Sequence, residues 1–555
     1  MPLPRTPYTV ASLTLAALLT GTPSLGAMGQ APPDAAQRVD EIFAPWDAST
    51  SAGCAVGVVQ HDLTVLERAY GMADLEHAVP NTSETIFEGG SLSKQFTAAA
   101  VVLLALDGKL ALDDDVRAYV PEIPDYGRTI TLRHLLTHTS GLRDWGSVAD
   151  ISGWGREQRS HDHDDVLDIL GRQSALNFDP GHEYSYSNSG YNLLAIVVAR
   201  VSGVPFADFS RRRIFEPLGL GHTQWRDDYR RIVANRSTAY DASEGGWSIN
   251  RPIEHVHGNG GILTTVRDLG VWNQALTDGR LGGADFVRMM HEPGLLADGS
   301  PIVYAGGLRV EPYRGVPSVT HTGSTAGYRA FLGRYPEQGL SVAMLCNASN
   351  VPTGATGARI ADIYLGDAAD DPANPDVEGA SAGRDLGAFA GLYRDPVTGE
   401  ERELSVEGGV LSDGSTPLLP LSDRDFQVGT SDRRYVFSSG AGSPSTAFRV
   451  EDWAYTDQRY ERVEPWTPEP SDLAAFAGSY HSADAETTYV VRPEGDGLVL
   501  WQRPNVLRSL SPVYQDAFRT GGMMIRFRRD DSGRVTGLSL GLGRVYDMRF
   551  MRMEG

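Results

Sequence analysis

Lysine is the scarcest charged residue in this 555-residue chain: Lys94 and Lys109 are the only two among 49 lysines and arginines. A generic positive charge is carried by Arg, which stays protonated, whereas a Lys in a suitable pocket can lose its proton and act as a base. Lys94 follows a serine by three residues in Gly90-Ser91-Leu92-Ser93-Lys94-Gln95-Phe96. The apolar, Ala-rich run after it reads as a buried helix, and residues i and i+3 share a helix face. A serine hydroxyl is a weak nucleophile until a neighbouring base takes its proton. Ser91 and Lys94 make such a pair if burial and the positive field of the helix start lower the Lys pKa. The two glycines before Ser91 allow close backbone approach.

Two further motifs could complete a site. Tyr184-Ser185-Tyr186-Ser187-Asn188 precedes a helix expected over 193–202. The Tyr186 phenol could pass a proton to a leaving group, and the Asn188 amide could hold a substrate carbonyl. Taken alone, Asn and Ser before a helix are ordinary caps. His321-Thr322-Gly323-Ser324 reads as a strand ending at a Gly-rich turn. Gly323 lets a substrate lie along the strand edge. The N–H groups of Ser324 and Ser91 together would make an oxyanion hole.

Other constellations read as structural. Gly537-Leu538-Ser539-Leu540-Gly541 matches a nucleophile elbow, but an elbow needs a helix after it and a strand-like stretch follows. His161-Asp162-His163-Asp164-Asp165 reads as a solvated stretch opening a helix. His134 and His138 have i, i+4 spacing without the Glu of a zinc hydrolase motif. No metal site and no cofactor is expected.

The elements that must position these residues follow from periodicity. A helix is expected over 34–46, strands over 54–60 and 64–72, then the Ser91 helix. Strands follow over 319–324, 328–335 and 340–346, and a closing helix over 352–365. Strands at both ends of residues 34–366, with helices between, predict one antiparallel sheet flanked by helices, plus a helical subdomain. Residues 367–384 are rich in Ala, Asp, Pro and Gly and read as a linker. DLGAFAGLY (385–393) then matches DLAAFAGSY (472–480) at seven of nine positions. Each copy leads into short alternating segments, so two small antiparallel β-barrels are expected, over 385–465 and 471–555.

A net charge of −22 argues against nucleic acid and anionic membranes as partners. Residues 1–30 read as a signal peptide: Arg5, a short apolar core over 10–19, then small residues around Gly26 and Ala27. Export to the periplasm or the medium is therefore expected. The two cysteines, Cys54 and Cys346, permit one disulfide in an oxidising compartment.

The ordered set Ser-x-x-Lys, Tyr-x-Asn, His-x-Gly resembles the family of class C β-lactamases, DD-carboxypeptidases and D-aminopeptidases. LLTHTSGL (135–142), FEPLGL (215–220) and GGILTTVRDL (260–269) reinforce it. The resemblance implies an α+β serine β-lactamase-like domain in which Ser91 is acylated, Lys94 and Tyr186 relay the proton, and Asn188, His321, Gly323 and Ser324 bind substrate. It also implies that the first and last strands of the sheet are neighbours, which would bring Cys54 and Cys346 together. The substrates it implies are small peptides, amides or esters, with amide bonds beside D-amino acids foremost and β-lactams as acylating ligands. A carboxylesterase and a slowly deacylating penicillin-binding receptor are the alternatives. The hydrolytic β-lactamases usually carry Lys at the position of His321, which weighs against that subclass.

The whole chain is similar in layout to three-domain D-aminopeptidases, where a loop of the last barrel brings an acid to the substrate's amine. The corresponding hairpin, Arg519-Thr520-Gly521-Gly522, is short and acid-free, with Asp516 just before it. The expectation is a cleft more open than in those enzymes. The oligomeric state is not readable from the sequence.

Overall fold

The computed structural model of the chain describes residues 32–370, 385–429, 431, 433–440, 444–451, 458–504 and 506–554. The segment expected to be a signal peptide and most of the expected linker lie outside these residues. Six strands form the main sheet: β1 (Cys54–Gln60), β2 (Leu63–Tyr70), β3 (Arg309–Tyr313), β4 (Val316–Thr325), β5 (Tyr328–Tyr335) and β6 (Leu340–Cys346). Their order is β3-β4-β5-β6-β1-β2, antiparallel throughout. The sheet is thus closed by the two ends of its domain. β1 is buried along nearly its whole length because helices cover both faces. Alternation divides its side chains. Val56 and Val58 pack with Phe43 and Ile360, from helices Ala35–Phe43 and Thr353–Leu365. Ala55 faces the larger core with Val266 and Leu269.

Cys54 and Cys346 are register partners on β1 and β6, with Cα atoms 4.0 Å apart and their sulfurs joined in a disulfide. Between β2 and β3 lies the helical part, including the serine helix Ser93–Leu106 and helix Asn188–Ser202. The latter starts five residues before the sequence expectation because Ser187 serves as its N-cap residue and Asn188 is its first helical residue.

Two closed eight-stranded antiparallel barrels follow, from Gly391–Arg394 to Arg459–Val463 and from Gly478–Ser482 to Val545–Arg552. The sequence repeat has a physical meaning here. In each copy the Tyr hydroxyl donates to the carbonyl of the Phe four residues earlier, Tyr393 to Phe389 at 2.9 Å and Tyr480 to Phe476 at 2.8 Å. In each copy an Arg of the last strand also donates to carbonyls of the repeat, Arg462 to Ala388 and Ala390, and Arg552 to Ala475 and Ala477. The repeat is thus tied in the same way to the last strand of its own barrel in both copies.

The other constellations lie in ordinary elements, though His161, expected to be solvated, is buried. Gly537 to Gly541 lies inside strand Val535–Leu542, with no helix after it. Asp162 caps helix His163–Gly171, accepting from the N–H groups of Asp164 and Asp165. His134 lies in helix Leu132–Leu136, but His138 lies beyond it at φ 59°, so the two are not on one helix. Among the described residues no His, Cys, Asp or Glu cluster could hold a metal ion.

Candidate active site

Ser91 sits in a tight turn, Gly90–Leu92, that runs directly into the serine helix. The turn is pressed against β4. A Cβ on Gly90 (φ +52°) would stand 2.7 Å from the Ser324 nitrogen, and one on Gly323 would stand 2.1 Å from the Gly89 carbonyl oxygen. Only glycines at both positions let the nucleophile turn and the strand edge meet. Ser93 fastens the turn further: its hydroxyl donates to the Gly90 carbonyl at 2.6 Å and accepts from the Ile262 N–H at 2.9 Å.

Lys94 is fully buried. Its Nζ lies 3.2 Å from Ser91 Oγ, 2.9 Å from Asn188 Oδ1 and 2.7 Å from the Asn259 carbonyl oxygen. Burial pushes its pKa well below the usual lysine value. The Arg544 guanidinium pushes it the same way, the Asp144 carboxylate opposes, and Arg156 adds to the depression. A neutral amine has two N–H donors and one lone pair. The carbonyls of Asn188 and Asn259 take the two donors, which leaves the lone pair for the Ser91 hydroxyl.

Tyr186 packs beside this pair, with the Lys94 nitrogen 4.7 Å from its ring centre. Its hydroxyl is hydrogen-bonded with Ser91, and burial pushes its pKa up to about 12. The phenol is therefore a proton donor at neutral pH, not a phenolate. His321 lies on β4. Its Nδ1 donates to the Thr322 carbonyl at 2.6 Å, so Nε2 accepts from the Tyr304 hydroxyl at 2.9 Å. Burial and the nearby Lys94 push its pKa down to about 3. His321 is a neutral wall of the site.

A cleft of about 380 Å³ is lined by Ser91, Tyr186, Asn188, His321, Ser324 and Arg544, among others. The structure thus brings together every site residue expected from the sequence. It adds several with no local sequence signal. Asp144 is buried, and its Oδ2 accepts from the Asn188 N–H at 2.7 Å, fixing the start of that helix. Asn259 contributes only its carbonyl, which any residue type has. Tyr304 orients His321.

Arg544 comes from the last barrel, 450 positions beyond Lys94 in sequence order. Here the structure changes which hairpin of the last barrel meets the cleft. The hairpin that reaches the site is the one between strands Val535–Leu542 and Val545–Arg552, not Arg519-Thr520-Gly521-Gly522. Arg519 instead pairs with Glu401 of the first barrel, and Asp516 pairs with Arg529. The last barrel thus contributes a cation, Arg544, to the lining of the cleft.

Comparison with known proteins places this fold. The β-lactamase family matches residues 39–366, and the chain belongs to that family. A D-aminopeptidase of Cereibacter sphaeroides (strain KD131 / KCTC 12085) is 27% identical over 515 residues, covering 88% of this chain and 93% of that protein. A penicillin-binding protein of Bacillus subtilis (strain 168) is 30% identical over 296 residues, covering 50% of this chain and 64% of that protein. Among solved structures, the octameric penicillin-binding protein homologue from Pyrococcus abyssi is similar in fold. It has a TM-score of 0.53 at 22% identity, covering 76% of this chain and 98% of that one. The D-amino acid amidase from Ochrobactrum anthropi SV3 has a TM-score of 0.51 at 24% identity, covering 60% of this chain and 98% of that one. The protein is a β-lactamase-family hydrolase, distantly homologous to D-aminopeptidases along most of its length.

Proposed function

We propose that this protein is an exported serine hydrolase that works through an acyl-enzyme on Ser91 and cleaves amide or peptide bonds next to D-amino acids. The observation that carries the reading is the buried Lys94 amine, 3.2 Å from Ser91 Oγ with its two N–H donors already engaged by Asn188 and Asn259. In this reading the Ser91 proton passes to Lys94 Nζ as Oγ attacks the substrate carbonyl. The N–H groups of Ser91 and Ser324 receive the oxyanion. Tyr186 gives its proton to the leaving amine and regains one from Lys94. Water then releases the acid by the reverse relay. Asn188 and His321 line the cleft beside the acyl group.

The D-amino acid preference rests on homology to D-aminopeptidases over nearly the whole chain. Export rests on the apolar stretch over 10–19 and the small residues after it, and the disulfide suits an oxidising compartment.

The test is a substrate panel with intact-mass analysis. Turnover of a D-alanine anilide, with a fluorophosphonate adduct located on Ser91, supports the reading. Lys94→Arg puts a permanent cation in place of the neutral amine and cannot accept the proton, and should lower turnover by about 10⁴-fold or more. Ester turnover alone would replace this reading with a carboxylesterase. A cephalosporin burst without turnover would replace it with a penicillin-binding receptor.

A further inference from the structure

Two acceptors of different kinds orient the Lys94 amine. Asn188 offers its side-chain oxygen from the first residue of helix Asn188–Ser202. Asn259 offers a main-chain carbonyl from residues 250–261, a stretch with no helix or strand of its own. No ladder of backbone bonds fixes that carbonyl, so packing and side chains have to. The stretch is pressed onto the helix: a Cβ on Gly258 (φ +103°) would stand 2.7 Å from Ala195 Cβ. Thr97, on the serine helix, donates from its hydroxyl to the Gly258 carbonyl at 2.8 Å.

Asn192 supplies a side-chain anchor. It is fully buried and lies one turn beyond Asn188 on the same helix face. Its Nδ2 donates to the His257 carbonyl at 3.0 Å and to Asn259 Oδ1 at 2.8 Å. Its Oδ1 accepts from the buried Trp145 indole N–H at 2.8 Å. The orientation of this amide is forced, because an indole nitrogen only donates and a main-chain carbonyl only accepts. Trp145 is itself tied to the same helix, its backbone N–H donating to Ser189 Oγ at 2.8 Å. Asn192 takes no part in the lining of the cleft. One helix therefore carries one acceptor of Lys94 and the anchor of the other.

We infer that Asn192 is a positioning residue for the general base: its amide holds the Asn259 carbonyl at the Lys94 amine and so fixes where the lone pair points. The inference rests on the acyl-enzyme reading, in which that lone pair takes the Ser91 proton. With Asn259 held, both N–H groups of neutral Lys94 are engaged and the lone pair is left to Ser91 Oγ, 3.2 Å away. With Asn259 released the amine can turn, and a misplacement of about 1 Å at a reacting group costs about 10²-fold in rate. Release has a second consequence. A charged donor makes the stronger hydrogen bond, so losing the carbonyl penalises the ammonium more than the amine. Lys94 then holds its proton only to a lower pH. The other groups that bear on its charge are Asp144, Arg156 and Arg544, the rings of Tyr186 and Tyr191, and the buried imidazoles of His138 and His321. The bonds of the Asn192 amide go to none of these, so a shift on its removal reports the Asn259 carbonyl.

The scarcity of lysine makes the test direct. Lysine isotope-labelled at its ε carbon gives one NMR signal from exposed Lys109 and one from buried Lys94. Asn192→Leu keeps the side-chain size and removes the amide. The Lys94 signal should then titrate about 0.5–1 pH unit lower than in the wild-type chain, as the loss of one hydrogen bond implies, with Lys109 unmoved. For an uncharged D-amino amide, kcat per Ser91 labelled by fluorophosphonate should fall by about 10²-fold. Its acid limb should follow Lys94, and KM should stay within about threefold of wild type. Asn259→Ala keeps the carbonyl but removes Oδ1, and should move the Lys94 midpoint the same way by less, because the His257 bond remains. That variant decides the matter if Asn192→Leu does not fold. A Lys94 midpoint that stays put or rises, or an unchanged kcat, would overturn the inference. A merely structural Asn192 lowers the number of labelled sites without touching the titration. Failure of wild-type Ser91 to label would refute the acyl-enzyme reading, whereas labelling with an unmoved Lys94 midpoint refutes only the role of Asn192.

Discussion

Lys94 is useful only while neutral, so the acid limb of the activity profile reports its proton. As pH falls through its depressed pKa the amine gains a proton, loses its lone pair, and Ser91 loses its base. The neighbouring charges pull in opposite directions: Arg544 and Arg156 favour the neutral amine, while Asp144 favours the ammonium. Arg544→Gln should therefore shift the acid limb to higher pH, and Asp144→Asn should shift it to lower pH. kcat against pH for an uncharged D-amino amide checks both. A common shift of the two variants would show that fold disturbance, not charge, sets the limb. His321 gives a second, sharper expectation. With a pKa near 3 and its Nδ1 proton held by the Thr322 carbonyl, its imidazole should stay neutral from pH 8 to about pH 5. Its ring signals in NMR should be flat over that window, and a midpoint near the usual value of about 6.5 would contradict the buried, neutral wall described here.

The strand that carries His321 must meet the serine turn without side chains between them, and this is where single substitutions should tell most. Gly323→Ala would place a methyl 2.1 Å from the Gly89 carbonyl oxygen, on backbone that cannot swing aside. The strand edge would separate from the turn, and Ser324 with it. Acylation of Ser91 should fall by about 10²-fold, the cost typical of losing one oxyanion donor, with stopped-flow labelling as the measure. The disulfide joins β1 and β6, inner strands of the same sheet whose cysteines are 292 residues apart in sequence. Replacing both cysteines with Ala should lower unfolding stability by about 2–4 kcal/mol, read from denaturant midpoints. These strands were readable from sequence because they alternate or run apolar between turn residues, and the motif residues were readable because lysine is so scarce. Residues that act through the backbone, such as Asn259, carry no such mark. Asp144 is an ordinary helix N-cap and Tyr304 one aromatic in an apolar stretch until the fold seats them against Asn188 and His321. The start of helix Asn188–Ser202 was misplaced because Asn188 to Asn192 is polar in composition yet buried.

Arg544 was hidden for a different reason: it is one arginine among many, and only the docking of the last barrel brings it to Ser91. That docking is built on a buried charge pair. Arg143, on the hydrolase domain, donates to Asp484 of the last barrel at 2.7 Å, with the two side chains 3% and 13% exposed. Arg143 also donates to the Asp547 carbonyl at 2.9 Å, just beyond the hairpin. Asp484 in turn accepts from the Ser174 hydroxyl, and its own carbonyl accepts from Gln173. Tyr489 completes the contact by donating to the Ile151 carbonyl at 2.8 Å. Removing one partner of such a pair leaves a buried charge uncompensated and costs about 3–5 kcal/mol. Asp484→Ala should therefore loosen the barrel as a unit while leaving the serine helix intact, since none of that helix's bonds involves it. The expected result is a joint change. Amide protons over 143–153 and 543–547 should exchange faster, and the acid limb of kcat against pH should move toward that of Arg544→Gln. Ser91 should still be labelled by a small fluorophosphonate at a rate within about threefold of wild type, because the nucleophile and its base belong wholly to the hydrolase domain. Faster exchange with an unmoved acid limb would show that Arg544 does not depend on the docked barrel for its place. Unchanged exchange would show that the remaining contacts hold the interface without the charge pair.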